Sequence, residues 1–174
     1  MAALLGSMIT TAPWPDRPTL LELEREARRH GTGIQAEQLG GCWELNTTWK
    51  RSGGPSTPGT DGFLRALNAC LILTVTPASD HIQIENCIGL AGLQLSFQGL
   101  AQLKGQRPLL FFSFESVQVK LGNKILYKKE IKTVASQRQA FFALIHLDQN
   151  QRCLIARGRG GGLALWTQRS IEAL

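Results

Sequence analysis

The residues of this 174-residue chain whose types could do chemistry are its three histidines, its four cysteines and one arginine–glycine run. His30, His81 and His146 stand far apart. They form no His-x-x-x-His pair and have no carboxylate at ligand spacing, so the sequence offers no metal site. Cys42, Cys70, Cys87 and Cys153 are equally scattered, with no C-x-x-C pair for a zinc knuckle or a thioredoxin-type redox site. Buried free thiols in a reducing compartment are the expectation. A G-x-S-x-G elbow and paired carboxylates are missing, and a cysteine nucleophile would need a histidine partner that the spacing does not supply. No catalytic residue is assigned and no cofactor is expected.

The run Arg157-Gly158-Arg159-Gly160-Gly161-Gly162 has two functional readings, a phosphate loop and an arginine–glycine segment for nucleic acid. A phosphate loop needs a Lys-Ser/Thr pair opening a helix, whereas here the β-type Leu163-Ala164-Leu165-Trp166 follows. A hairpin turn accounts for the glycines. Charge points the same way as the arginines: residues 1–100 hold 7 basic and 9 acidic side chains, residues 101–174 hold 12 and 4. The densest piece carries Lys120, Lys124, Lys128, Lys129, Lys132 and Arg138 against Glu130 alone. Such a patch attracts anionic membranes or nucleic acid, or is simply a solvated face. Nucleic acid is not the expected partner, because Phe111, Phe112, Phe114, Phe141 and Phe142 lie in apolar strands that predict burial rather than stacking platforms.

The elements that must position these residues are mostly short strands. Thr19 and Glu22 make a capping-box pattern, and Leu20, Leu23 and Ala27 continue it at helical spacing to a stop at Gly31. The resulting amphipathic helix is expected to plug one end of the fold or to lie across it as a lid. From Trp43 the alternation puts Trp43, Leu45, Thr47 and Trp49 on one face. Residues 52–59 are a Gly/Pro loop, and 63–69 can form a short helix. Strands follow at 71–76, 82–88, 92–98, 109–121, 140–147, 152–157 and 162–167. In the long one, Phe112 and Phe114 have one parity and Val117, Val119 and Leu121 the other, so a bulge near Glu115-Ser116 is needed to keep one side inward.

No helix of ten residues separates any two strands, so parallel βαβ units are excluded and an antiparallel meander is expected. Many strands must hide their edges, and closure removes edges outright. The fold expected is therefore mainly β, an antiparallel, lipocalin-like closed barrel of about eight or nine strands with an N-terminal helix. Its divisions are an N-terminal segment (1–38), the barrel (39–168) and a C-terminal tail (169–174). A barrel of this size has room for one small apolar ligand. Trp43, Trp49, Phe97, Phe112 and Arg157 are the candidate ligand-binding residues. Arg157 is expected to cover the indole of Trp43 at the seam between the first and last strands.

Ordered motifs carry a resemblance to a family. They are Leu39-Gly40-Gly41-Cys42-Trp43-Glu44-Leu45, Ile84-Glu85-Asn86-Cys87-Ile88, Phe114–Leu121 with Gly122, Leu147-Asp148, and Cys153-Leu154-Ile155-Ala156-Arg157-Gly158 followed by Gly162-Leu163-Ala164-Leu165. Over residues 39–166 the chain resembles the plastid lipid-associated proteins, or fibrillins, of plastids and cyanobacteria, with a cyanobacterial member the expectation. It departs from them at Cys42 and in the long loop after Trp49. The resemblance implies non-catalytic binding of a prenylquinone, carotenoid or acyl lipid, with peripheral attachment to thylakoids or lipid globules. The alternative is a phycobiliprotein chromophore (bilin) lyase, which shares the barrel and whose bilin carboxylates would suit a basic mouth. The first sixteen residues contain no Lys or Arg, and no run reaches transmembrane length. A cytoplasmic or thylakoid-peripheral protein that is not secreted is expected.

Overall fold

The computed structural model describes residues 15–51, 69–76, 79–132 and 139–169. The expected 52–59 loop and almost all of the 63–69 helix lie outside them, as do Arg138 and the tail beyond 169. Among the described residues one helix, α1 (Arg17–His30), and a 3-10 turn (Ala36–Leu39) precede nine strands. These are β1 (Gly41–Trp49), β2 (Cys70–Val75), β3 (Ile82–Leu90), β4 (Leu93–Lys104), β5 (Leu109–Leu121), β6 (Lys124–Glu130), β7 (Ala140–Asp148), β8 (Cys153–Gly158) and β9 (Leu163–Gln168).

Asp16 caps α1, accepting from the Thr19 backbone N–H at 3.0 Å and from the Thr19 hydroxyl at 2.5 Å. The expected cap at Thr19 therefore moves three residues upstream, because the aspartate reaches the orphan N–H groups of the first turn. Gly31 ends the helix as anticipated, at φ 76°. A side chain there would strike the Gln106 carbonyl oxygen of the β4–β5 turn.

Every pairing is antiparallel, in the order β4-β3-β2-β1-β9-β8-β7-β5-β6. β4 also pairs with β5 along its whole length, so hydrogen bonds run round eight strands and return through β9 to β1. The closed antiparallel barrel read from the sequence is what forms. The ninth strand, β6, lies outside the ring as a hairpin partner of β5. Its lysines hid it as a strand in the sequence, where it registers only as a basic patch.

Bulges in β1, β5 and β7 decide what faces inward. Gln98 pairs with Ser116 and Gly99 with Phe114, which leaves Glu115 over and brings Phe112, Phe114, Val117 and Val119 onto one side, as the parity argument required. In β1, Leu45 pairs with Trp166 and Thr47 with Leu165, leaving Asn46 over. This second bulge overturns the shared face read for β1. Trp43 and Leu45 point inward, while Trp49 turns outward against Leu163.

The interior is packed by Trp43, Leu71, Leu73, Ile84, Leu110, Leu154 and their neighbours, and Ile34 and Leu39 close one end. Trp43 Nε1 donates to the Leu39 carbonyl at 2.8 Å, which fixes the 3-10 turn as the plug. The helix expected at that end lies instead on the outer wall, where Leu20 and Leu23 pack with Ile145, Ile155, Leu163, Leu165 and Trp49.

The expectation of four free thiols is also corrected. Cys70 and Cys87 face each other across β2 and β3 and form a disulfide, while Cys42 and Cys153 are free. The pair was invisible to spacing rules because strand register, not sequence interval, makes it. The bridge spans 17 residues. Chain-entropy arguments for such a loop give about 3 kcal/mol, so reduction is expected to lower the urea unfolding free energy by that order. A second expected loss follows from Gly99, opposite the Glu115 bulge. A methyl group there meets the Ser113 carbonyl and comes within 2.8 Å of Phe114 Cα. Gly99→Ala should cost about 3 kcal/mol in the same measurement.

Candidate functional site

Two regions concentrate unusual side chains. The first lies on the outer wall under α1, where burial of an acidic residue must be compensated. Glu24 shares the inward helical face with Leu20 and Ala27 and is only 4% exposed. Arg157 of β8 grips it with both ends of its fork, Nε to Oε1 at 2.7 Å and Nη2 to Oε2 at 2.5 Å. Arg28 donates to Oε1 at 2.7 Å, and Arg107 stands 3.9 Å from the same oxygen. Burial alone pushes the Glu24 carboxyl up, yet the hydrogen bonds and charges of Arg157 and Arg28 together outweigh it and hold the group below its usual value. Arg157 Nη1 also donates to the Gly161 carbonyl, tying the β8–β9 turn to the helix.

Beside this cluster opens a cleft of about 430 Å³. Its rim carries Arg28, Arg51, Arg107, Arg157 and Arg159, and its floor is Leu109, Phe141 and Ala143. Arg159 Nη1 donates to the Gln139 carbonyl at 2.9 Å, whereas the buried Nε of Arg107 has no hydrogen-bond partner.

The second region is the end of the barrel away from the 3-10 plug. A file of rings runs toward it: Trp166, Phe142, Phe112, Phe114 and Phe97, with successive centroids 6.4, 5.0, 5.4 and 5.6 Å apart. Phe97, Phe114, Val117 and Val119 are half-buried, and from there the inward face continues onto exposed strands. Cross-strand rows Leu95–Val119–Tyr127 and Leu93–Leu121–Lys124 carry it out to β6. Leu93, Leu121, Ile125, Leu126 and Tyr127 are 49–52% exposed.

The candidate ligand residues thus divide. Trp43, Phe97 and Phe112 belong to the interior, but Trp49 and Arg157 belong to the outer wall. Arg157 does not cover Trp43. It lies on β8, one strand removed from the β1–β9 seam, its β9 partner is Leu163, and Trp43 pairs with Gln168. The charge on Arg157 explains the difference: a guanidinium is cheaper on a wall with a carboxylate than inside an apolar barrel. Nothing in the sequence singled out Glu24, although an acidic residue four positions after Leu20 on the apolar helix face was the available signal.

The lysine patch is also divided. Lys124, Lys128, Lys129 and Lys132 are exposed, while Lys120 turns to Glu85 at 3.7 Å. Glu85 in turn accepts from Gln98, and Gln98 accepts from Gln118, so a polar ladder crosses β3, β4 and β5. Register puts Lys128 on the face of Gln118 and Lys129 on the face of Val117, so the free lysines surround the hairpin rather than line one side. Burial raises both free thiols, Cys42 further through Glu44 and Cys153 through Asp148, which leaves neither as a ready nucleophile. Among the described residues no group of three or more His, Cys, Asp or Glu could hold a metal ion, and no helix is long and apolar enough to cross a membrane.

No protein-family model matches the chain, and no curated protein matches it at a significant level. The fold and its two sites define a class nonetheless: a small closed antiparallel barrel, packed at one end, with a partly exposed apolar far end and an arginine-lined outer cleft.

Removing the Glu24 carboxylate leaves Arg157, 18% exposed, without its partner. Glu24→Ala should therefore cost about 3–5 kcal/mol. Because the folded-state carboxyl titrates below the ordinary 4.5, its contribution is complete above that pH and is lost as pH falls through the lower folded value. Urea midpoints at pH 7 and pH 3 should fall further apart for the wild type than for Glu24→Gln.

Proposed function

We propose that this protein is a non-catalytic binder of an apolar small molecule, a prenylquinone, carotenoid or acyl lipid, that works while attached peripherally to an anionic membrane. The observation that carries this reading is the continuity of the inward apolar face with the exposed strands β4, β5 and β6. A soluble barrel gains nothing from Leu93, Leu95, Leu121 and Tyr127 standing 37–52% exposed on that one face, with Ile125 adding apolar surface on the other side of the hairpin beside Lys120, and an exposed patch of that kind marks a surface that meets lipid or a partner. The lysines around it choose between these occupants. Lys124 stands at the tip beside Leu121, Lys128 and Lys129 follow on the two faces of β6, and Lys132 lies just past it, so basic side chains flank the apolar strand as they do where a segment inserts among anionic headgroups.

Since the plugged end is filled by Trp43 and its neighbours, the guest is assigned to the opposite end, against Phe97, Phe114 and Val117. A molecule leaving a bilayer there would pass from lipid to aromatic wall without crossing water, which removes the main barrier to extracting it. The family resemblance over residues 39–166 supports the thylakoid or a lipid globule as the setting.

Flotation with vesicles tests the attachment. Wild type should bind phosphatidylglycerol vesicles at low salt and lose most of that binding at high salt. At about 1 kcal/mol per lysine, Lys124→Ala, Lys128→Ala and Lys129→Ala together should weaken it by roughly a hundredfold. Leu121→Ser with Tyr127→Ser should abolish the salt-resistant remainder. Equal binding of wild type and the lysine variant excludes the electrostatic attachment. Mass spectrometry of the natively purified protein should find one apolar molecule per chain, and its consistent absence removes the carrier reading.

A further inference from the structure

The arginine cleft lies at the start of β5, and the apolar hairpin lies at its far end, twelve residues or roughly 40 Å of extended strand away. The cleft is therefore not part of the lipid-facing surface. Its charge balance is unusual. Five guanidinium groups line it, and among the described residues the carboxylate that meets them is Glu24, an excess of four positive charges. Each nitrogen of Arg157 already donates, to Glu24 and to Gly161. Arg28 and Arg159 each commit one nitrogen, to Glu24 and Gln139. Arg107 has its Nε enclosed and its Nη2 standing 3.9 Å from Glu24 Oε1, and neither it nor Arg51, packed against Gly161, makes a side-chain hydrogen bond among the described residues.

Guanidinium groups converging on one concavity repel, and an oxyanion that accepts from several at once relieves them. The chain's own Glu24 already shows that this wall binds an oxyanion, held by the fork of Arg157 and a third bond donated by Arg28. What remains calls for more charge and more acceptor atoms than a second carboxylate has. A phosphomonoester is close to a dianion at neutral pH and brings three acceptor oxygens. The floor adds the second half of the specificity. Leu109, Ala143 and the ring of Phe141, itself braced by Phe111 at 5.7 Å, form an apolar bed under the charged rim. At about 430 Å³ the cleft holds a small molecule rather than an ion alone.

We propose that the cleft between α1 and strands β5, β7 and β8 binds a small phosphomonoester with an aromatic or apolar body, Arg51 and the terminal nitrogens of Arg107 supplying the donors and Phe141 the stacking surface. The phosphate enters between the guanidinium groups, and the body lies on Phe141 and Leu109. Binding there joins the helix to the wall and so stiffens the contact that Glu24 and Arg157 already make.

Calorimetric titration of the full-length chain with 4-methylumbelliferyl phosphate tests the site. One equivalent should bind, with affinity at least about tenfold above that of 4-methylumbelliferone and of inorganic phosphate. Arg51→Ala should cost at least about tenfold again at an unchanged melting temperature, Arg107→Ala added to it should weaken binding further, and Phe141→Ala should narrow the gap between the aryl ester and inorganic phosphate. The Lys124→Ala, Lys128→Ala, Lys129→Ala variant should bind the ester like wild type, which separates this site from vesicle attachment. A phosphatidate-vesicle arm distinguishes the source. Retention of the lysine variant on those vesicles, lost with Arg51→Ala and Arg107→Ala, assigns a lipid headgroup, and no such retention assigns a soluble ester. No saturation by about 1 mM, or affinity indifferent to the arginine pair or to the phosphate, overturns the proposal.

Discussion

Closure of the hydrogen-bond ring is the constraint on which everything else in this molecule rests. β1 must find β9, and β4 must find β5, or eight strands are left with open edges. The seam is reinforced where it ends: Gln168 Nε2 donates to the Gly40 carbonyl at 2.8 Å, and the Arg169 backbone N–H to the Cys42 carbonyl at 2.8 Å. Once the ring is closed, each strand has an inside and an outside, and the distribution of function follows from that division. The inside takes the rings and aliphatic chains, and the wall takes the helix with its ion cluster. β6 alone keeps a free edge among the described residues, and there the lysines sit.

The helix adds a second, dependent layer. Leu20 and Leu23 cover outward-facing Ile155, Leu163 and Leu165, which a closed barrel would otherwise present to water. Such a contact alone would leave the helix free to slide. Glu24 removes that freedom, since a buried carboxylate satisfied by two fork-shaped donors tolerates little displacement. The same arginines that hold it make the cleft beside it, so structural anchoring and an anion-attracting surface share one set of side chains.

Much of the fold was legible. Strand content, the order of hairpins, the Gly31 stop and the bulge at Glu115 all came from patterns spanning a few residues, because periodicity of two and turn chemistry act locally. The bulge at Asn46 escaped the same reasoning. In β5 a change of hydrophobic parity announced the extra residue, but Trp43, Leu45 and Trp49 keep one parity throughout, so apolar patterning gave no sign of the shift. Trp49 is apolar on either side, since the outer wall beneath α1 is itself a core.

By itself, then, the sequence determined the class of fold, the antiparallel connectivity and the basic, aromatic-rich character of the second half, since these depend on composition and short-range period. Tertiary structure decided which residues meet. Arg157 finds Glu24 across 133 positions, Cys70 finds Cys87 through strand register, and the helix chooses the wall over the mouth. Partners so far apart are selected by the face each strand presents after its bulges and by the closing of the ring. A periodicity read within a short window is indifferent to both.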